Sequence, residues 1–244
     1  MSGHSRWSKI QHKKGATDAK RGNVFTKLCK AITISAQQGG GDPEMNFSLR
    51  LAIERAKQDN VPKDNIDRAI KRGTGELKDG ADIQEVIYEG YGPGGVAVLI
   101  ETITDNTNRT VGELKSVFGK HNGSLGGPGS VQWQFAHLGV IRLDESKKSK
   151  VESKKSDFEL ALIDVGAEDI IESQFGTEIR SPLENFQKIL EVVKSFGIES
   201  ADSGLEWIAK EEIAVEEGIS QKMEALCEAL LDLDDVKEVY TNEV

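Results

Sequence analysis

The sequence predicts an α+β protein of three domains: an N-terminal three-helix domain followed by two ferredoxin-like α/β domains, the third inserted into the second. Three observations predict it. Apolar spacing changes from three-four to alternate residues across a Gly-rich polar stretch, residues 73–82. Residues 139–201 read strand-helix-strand-strand-helix-strand, a complete split βαβ unit in one run. On either side stand two strand-helix-strand halves, 96–135 and 206–240, which close a second core only when joined. The domains are therefore expected at 1–78, at 79–137 together with 205–244, and at 138–204.

The elements follow in order. Residues 1–15 show no sustained period and read as an arm. A helix is predicted from Thr17, a capping residue, through Phe25, Leu28, Cys29, Ile32 and Ala36 to the glycines at 39–41. A second helix covers 44–59, with Phe47, Leu49, Leu51, Ala52, Ile53 and Ala56. Pro62 opens a third, through Ile66, Ala69 and Ile70 to Arg72, and Gly73 stops it. Strands at 85–89 and 96–101 flank the turn Gly92-Pro93-Gly94-Gly95. The first is expected to be an extra edge strand. Asn106 or Thr107 caps a helix to His121, with Val111, Leu114, Val117 and Phe118 inward. Val131-Gln132-Trp133-Gln134-Phe135 alternates cleanly and predicts a strand with Val131, Trp133 and Phe135 on one face. In the insert, strands are predicted at 139–143, 167–171, 177–180 and 198–201, with helices at 151–165 and 181–196. A strand at 206–215, a helix at 220–231 and a strand at 236–240 complete the chain.

Charge is distributed unevenly. Residues 1–30 hold eight cations (Arg6, Lys9, Lys13, Lys14, Lys20, Arg21, Lys27 and Lys30) against one acid, Asp18. Through Gly75 the balance is 15 basic to 7 acidic residues, a net +8, and the remainder carries 16 and 34, a net −18. A cationic end on an acidic body points to an anionic partner, most often nucleic acid, whose phosphates release counterions to Lys and Arg. Trp7 lies among the cations, which adds a ring that could stack on a base. These nine residues, the cations and Trp7, form the candidate nucleic-acid contact.

Other classes find less support. The chain has no GxxxxGK[ST], no GxGxxG after a strand, no HExxH and no GxSxG, and its four histidines are scattered. No catalytic residue, metal or cofactor is expected. The pairs Glu211-Glu212, Glu216-Glu217 and Asp234-Asp235 place neighbouring acids pointing apart, which suits solvated surface better than acid–base chemistry. Asp105, Asn106, Asn108 and Arg109 offer a polar cluster near a domain seam. Cys29 and Cys227 stand alone, as in a reducing compartment. No apolar run is long enough to span a membrane, and no apolar core follows the basic start. A cytoplasmic monomer is the expectation.

Several long motifs occur in a fixed order. They are Gly3-His4-Ser5-Arg6-Trp7, Lys13-Lys14, Gly39-Gly40-Gly41-Asp42-Pro43, Pro62-Lys63-Asp64-Asn65-Ile66 and Arg68-Ala69-Ile70-Lys71, then Tyr88-Glu89-Gly90-Tyr91-Gly92-Pro93-Gly94-Gly95, Thr104-Asp105-Asn106, Asn108-Arg109-Thr110 and Gly129-Ser130-Val131 with Trp133 and Phe135. Across essentially its whole length the chain resembles the YebC/PmpR family of bacteria, related to the mitochondrial translational activator of cytochrome c oxidase subunit I. Arg6 stands where that family usually has Lys, and Asn23 where Lys is common. The resemblance implies one helical and two α/β domains. It also implies a regulator of gene expression, described for some members as a DNA-binding transcriptional regulator and for others as a translation factor at the ribosome. An acidic body repels a duplex that would wrap it, and no helix-turn-helix, zinc finger or basic zipper is present. Ribosomal or transfer RNA is therefore the preferred partner, with DNA as the alternative.

Overall fold

The computed structural model describes residues 18–77, 82–144, 155–173, 176–198 and 200–244. They form two compact units. One is Phe135–Lys210; the other comprises the described residues of Gly3–Gln134 with Glu211–Val244.

The larger unit begins with three helices, α1 (Asp18–Gly39), α2 (Phe47–Gln58) and α3 (Lys63–Gly73). Their apolar stripes meet around Ile32, Ala36, Leu49, Ile53, Ala56, Val61, Ile66 and Ala69, with Phe25, Leu28 and Cys29 packed against them. Asn46 fixes the corner between α1 and α2. Its Oδ1 accepts from the N–H of Leu49 at 3.1 Å, capping α2, while its Nδ2 donates to the carbonyls of Ser35 and Gly40, each at 2.8 Å. Gly40 turns the chain there with a φ of +85°. Helix α3 lies so close to α1 that a Cβ on Gly73 would stand 2.3 Å from the Thr33 carbonyl oxygen. Pro62 is the residue before α3, with Lys63 its first helical position.

The same unit continues into an antiparallel sheet of order β3-β1-β2-β8: β1 (Gln84–Tyr91), β2 (Ala97–Thr104), β3 (Ser124–Leu125) and β8 (Val236–Thr241). The Gly92–Gly95 turn joins β1 to β2 in the register Tyr91↔Ala97 to Gln84↔Thr104. Every residue of β2 is buried. On one face Val98 and Ile100 pack with Leu114 and Phe118 of α4 (Thr107–Lys120) and with Met223, Leu226, Cys227 and Leu230 of the last helix (Glu217–Leu231).

The smaller unit runs β4 (Phe135–Asp144), α5 (Lys155–Asp164), β5 (Asp169–Ser173), β6 (Gly176–Ser181), α6 (Phe186–Ser195) and β7 (Asp202–Ala209), and the last helix of the chain is α7. Its sheet order β5-β6-β4-β7, antiparallel throughout, is the ferredoxin-like arrangement. Phe158 and Phe196 meet edge to face at 5.1 Å in its core.

The α+β class and the multidomain character stand, but strand membership differs from the prediction. Residues 132–134 form a 3-10 turn rather than a strand, and β4 begins at Phe135. The predicted strand at 206–215 is divided. Residues up to 209 close the smaller unit as β7, and Ile213 makes only a single bridge to Glu243. The strand expected at 198–201 is the one that begins at Asp202. The larger unit's sheet therefore draws on a hairpin, a two-residue strand and β8, and β1 sits inside it rather than at an edge. The reason is pairing partner: β7 lies along β4 for eight residues, Phe135↔Ala209 to Arg142↔Asp202, which takes both segments out of the other sheet.

Because Phe135 and Ala209 face each other across that ladder, the smaller unit enters and leaves at one place. Excising 135–210 and bridging Gln134 to Glu211 with a short flexible linker is expected to leave a protein that unfolds cooperatively in urea. Absence of a cooperative transition in the excised chain would show that the larger unit depends on the smaller.

Candidate nucleic-acid interface

Arg6, Trp7, Lys9, Lys13 and Lys14 lie outside the described residues, and Lys20 and Arg21 are described only as backbone of the first turns of α1. Lys27 and Lys30 are described fully. One helical turn apart on α1, they turn toward the end of α7 and the start of β8. Lys27 Nζ donates to the carbonyl of Leu231, the last residue of α7, where the unsatisfied carbonyls of a helix C-terminus attract a cation. Burial pushes the Lys27 ammonium below its usual range, with Glu238, Asp234 and Asp232 opposing. Lys30 Nζ meets Asp235 Oδ1 at 2.9 Å and donates to the Asp234 carbonyl at 3.1 Å. These two predicted contacts are thus engaged within the protein.

Asp235 is the hub of this region. It is 2% exposed, against the expectation that Asp234 and Asp235 are both solvated. Its Oδ1 takes the bond from Lys30. Its Oδ2 lies 2.7 Å from an Arg109 nitrogen, 2.9 Å from Thr110 Oγ1 and 3.0 Å from Thr104 Oγ1. Burial favours the neutral acid, but hydrogen bonds from Lys30, Arg109 and Thr110 outweigh it and hold the carboxyl at about 2. Arg109 also pairs with Asp105 at 2.7 Å. Asn106 caps α4, its Oδ1 accepting from Arg109 N at 3.1 Å, and Asn108 is exposed. The predicted cluster therefore divides: Asp105 and Arg109 join the network that ties α1 to the sheet, while Asn106 starts a helix. Sequence reading missed Asp235 because its partners are distant along the chain.

Among the described side chains of the helical region, the exposed cations are Arg55, Lys57, Lys63, Arg68, Lys71 and Arg72, with Arg55 3.3 Å from Glu238. Among the described residues no group of three or more His, Cys, Asp or Glu side chains could hold a metal ion, and no helix is long and apolar enough to cross a membrane. Neither cysteine is in a disulfide, and burial pushes both thiols up, away from nucleophilic use.

A second organised feature is the loop 126–134. Glu89 of β1 is 4% exposed, and its carboxylate accepts from the backbone N–H groups of Gly129 (2.5 Å), Val131 (2.6 Å) and Gln132 (2.7 Å). Burial raises this acid and the three N–H bonds lower it; the bonds prevail. The loop so held carries Trp133, which is 69% exposed.

The comparisons agree over the whole chain. The family model for the TACO1/YebC N-terminal domain matches residues 5–76, and that for the TACO1/YebC second and third domain matches 83–243. A relative from Syntrophus aciditrophicus, named "Probable transcriptional regulatory protein", is 48% identical over 99% of this chain and 95% of its own length. One from Caldanaerobacter subterraneus, with the same description, is 46% identical over 99% and 98%. The crystal structure of a conserved hypothetical protein from Aquifex aeolicus superposes with a TM-score of 0.84 at 40% identity, covering 98% of this chain and 97% of that one. With both family models matched in order and these identities across its length, the chain belongs to the TACO1/YebC family.

Proposed function

We propose that the protein is a non-enzymatic regulator of gene expression that binds nucleic acid through its basic arm and helical domain, and that its working partner is RNA of the translating ribosome. The observation that carries this reading is the division of charge, +8 through residue 75 against −18 beyond it. Phosphate contact needs charge and reach, whereas base readout in a major groove needs a few side chains held rigidly there. The engagement of Lys27 and Lys30 within the protein moves the expected contact toward Arg6, Trp7, Lys9, Lys13, Lys14, Lys20 and Arg21. The exposed cations of α2 and α3 extend it. The name that the relatives carry favours a second reading, a DNA-binding regulator of transcription. Cytoplasmic location and a monomeric state accompany both.

Crosslinking in growing cells, followed by sequencing of the attached nucleic acid, separates the two. Ribosomal or transfer RNA is expected to be enriched, and the enrichment lost when Lys13, Lys14, Lys20 and Arg21 are all changed to Ala. Reproducible recovery of defined promoter DNA, with ribosomal RNA at background, overturns the RNA reading.

A further inference from the structure

The turn from α7 into β8, residues 231–238, carries Asp232, Asp234, Asp235 and Glu238 and a single cation, Lys237. Lys237 is taken up by other acids, 3.2 Å from Glu101 and 3.3 Å from Glu85. The turn is thus left acidic where it meets the basic helical region. Lys30 reaches Asp235, Arg55 reaches Glu238 at 3.3 Å, and Lys27 reaches the Leu231 carbonyl. None of the three is a secure pairing. Lys27 is drawn partly out of water, yet the atom it meets is a neutral carbonyl, and Asp232, Asp234 and Glu238 act on it only through space. An ammonium so placed loses hydration without gaining a carboxylate in contact. Lys30 has a carboxylate, but Asp235 does not depend on it alone: the bonds from Arg109, Thr104 and Thr110 all fall on Oδ2, and Lys30 holds Oδ1. Arg55 and Glu238 are 50% and 22% exposed, the kind of ion pair that water and salt weaken.

Both lysines stand on the helix that follows the basic arm. Lys20 and Arg21 lie about two turns nearer its start, on the order of 10 Å from Lys27 along the axis. A single strand held there by its phosphates brings the next phosphates within reach of Lys27 and Lys30. A phosphate offers a lysine a full charge and several acceptor oxygens, where the turn offers Lys27 one carbonyl. We propose that the α7–β8 turn is an autoinhibitory contact: it occupies Lys27 and Lys30 in place of phosphate, and a nucleic-acid strand bound at the arm displaces it. The inference rests on the nucleic-acid reading above and adds to it an internal competitor that the strand must overcome. Only side chains need to move. Lys30 is 24% exposed, and on its release Asp235 keeps its three bonds on Oδ2. The two lysines then join the cations of the arm, and the acids of the turn are left to water, since Asp232 and Asp234 are already exposed.

The test uses the full chain and one single-stranded RNA of mixed sequence, with affinity measured across a range of salt. Asp232→Asn together with Asp234→Asn removes two exposed acids of the turn and leaves Asp235 in place. This variant is expected to bind roughly 3- to 10-fold more tightly near physiological salt, the scale of one or two exposed ion pairs released. Its plot of log affinity against log salt should be steeper by up to about 1.4, two added phosphate contacts on a single strand. Glu211→Gln with Glu212→Gln makes the same change of net charge on exposed acids toward the other end of β8, where Ile213 bridges Glu243. That control should bind as wild type does. In a chain that also carries Lys27→Gln and Lys30→Gln, removing Asp232 and Asp234 should no longer raise affinity. No gain from the turn variant overturns the proposal. So does an equal gain from the control, which would assign the effect to net charge, and so does a gain that persists without the two lysines. If Lys30→Gln lowers the unfolding midpoint, Lys27→Gln alone decides, since its described bond is to one carbonyl: the gain should shrink, and an undiminished gain overturns the proposal. A wild-type protein and turn variant that both fail to bind the RNA remove the nucleic-acid reading together with this one. Binding that depends on the arm but is indifferent to Asp232 and Asp234 removes this one alone.

Discussion

Asp235→Ala is expected to cost about 3 kcal/mol of stability, the lower end of the 3–5 kcal/mol for breaking a buried ion pair from one side. The lower end applies because Lys30 and Arg109, 24% and 44% exposed, can turn to water once released. Thr104 and Thr110, both fully buried, cannot, and each loses its carboxylate partner. Urea unfolding of the full chain measures the total. Faster hydrogen exchange along α1 would show where the loss falls, since Lys30 is its tie to Asp235. Asp235→Asn keeps the shape and one acceptor and should cost less. Stability should also depend on acid. The Asp235 carboxyl lies at about 2 in the folded chain against an ordinary 3.8, a depressed value, so its contribution is complete above 3.8 and is lost as pH falls toward 2. The difference amounts to about 2 kcal/mol. Asp235→Ala should flatten the pH profile in that window. A cost under about 1 kcal/mol with an unchanged profile would contradict the hub.

Removing residues 1–17 is expected to lower affinity for single-stranded RNA on the order of a hundredfold near physiological salt while leaving the unfolding midpoint in place. Four cations go with the segment, Arg6, Lys9, Lys13 and Lys14. Each phosphate contact on a single strand contributes about 0.7 to the slope of log affinity against log salt, so four contribute about 3. Where to cut matters. A deletion of 1–30, the natural choice from charge alone, would also remove Phe25, Leu28 and Cys29 from the helical core and Lys30 from Asp235. Weak binding by that shorter chain would then report an unfolded domain.

Much of the fold is legible in the sequence because it is local. Phe25, Leu28, Cys29, Ile32 and Ala36 recur at helical spacing, and all five pack in the helical core. Gly92-Pro93-Gly94-Gly95 permits one tight connection, and the hairpin register follows from it. Strand partners are another matter. Nothing in Leu205 or Glu206 says that they lie beside Gly139 and Leu138, so the residues of β7 fit either sheet until the ladder itself is known. Five alternating residues are also too few to distinguish a strand from a turn; the bonds that bend 131–134 come from Glu89, some forty positions earlier. The candidate site was legible as a charge count, which cannot tell a cation free for phosphate from one paired at home, as Lys30 is. The rule that adjacent residues point apart holds for Asp234 and Asp235. What does not follow is that both point to water: one of them points inward, and the contacts that make it a hub lie on α1, β2 and α4.

The central claim is that the affinity of this protein for nucleic acid resides in its basic end. The salt dependence of binding tests it most directly, measured on one single-stranded RNA for the whole chain and for the chain lacking residues 1–17. Two straight lines of log affinity against log salt are expected, the truncated protein's shallower by about 3 and the two converging at high salt. Parallel lines of equal height would contradict the claim and leave the arm a solvated tail.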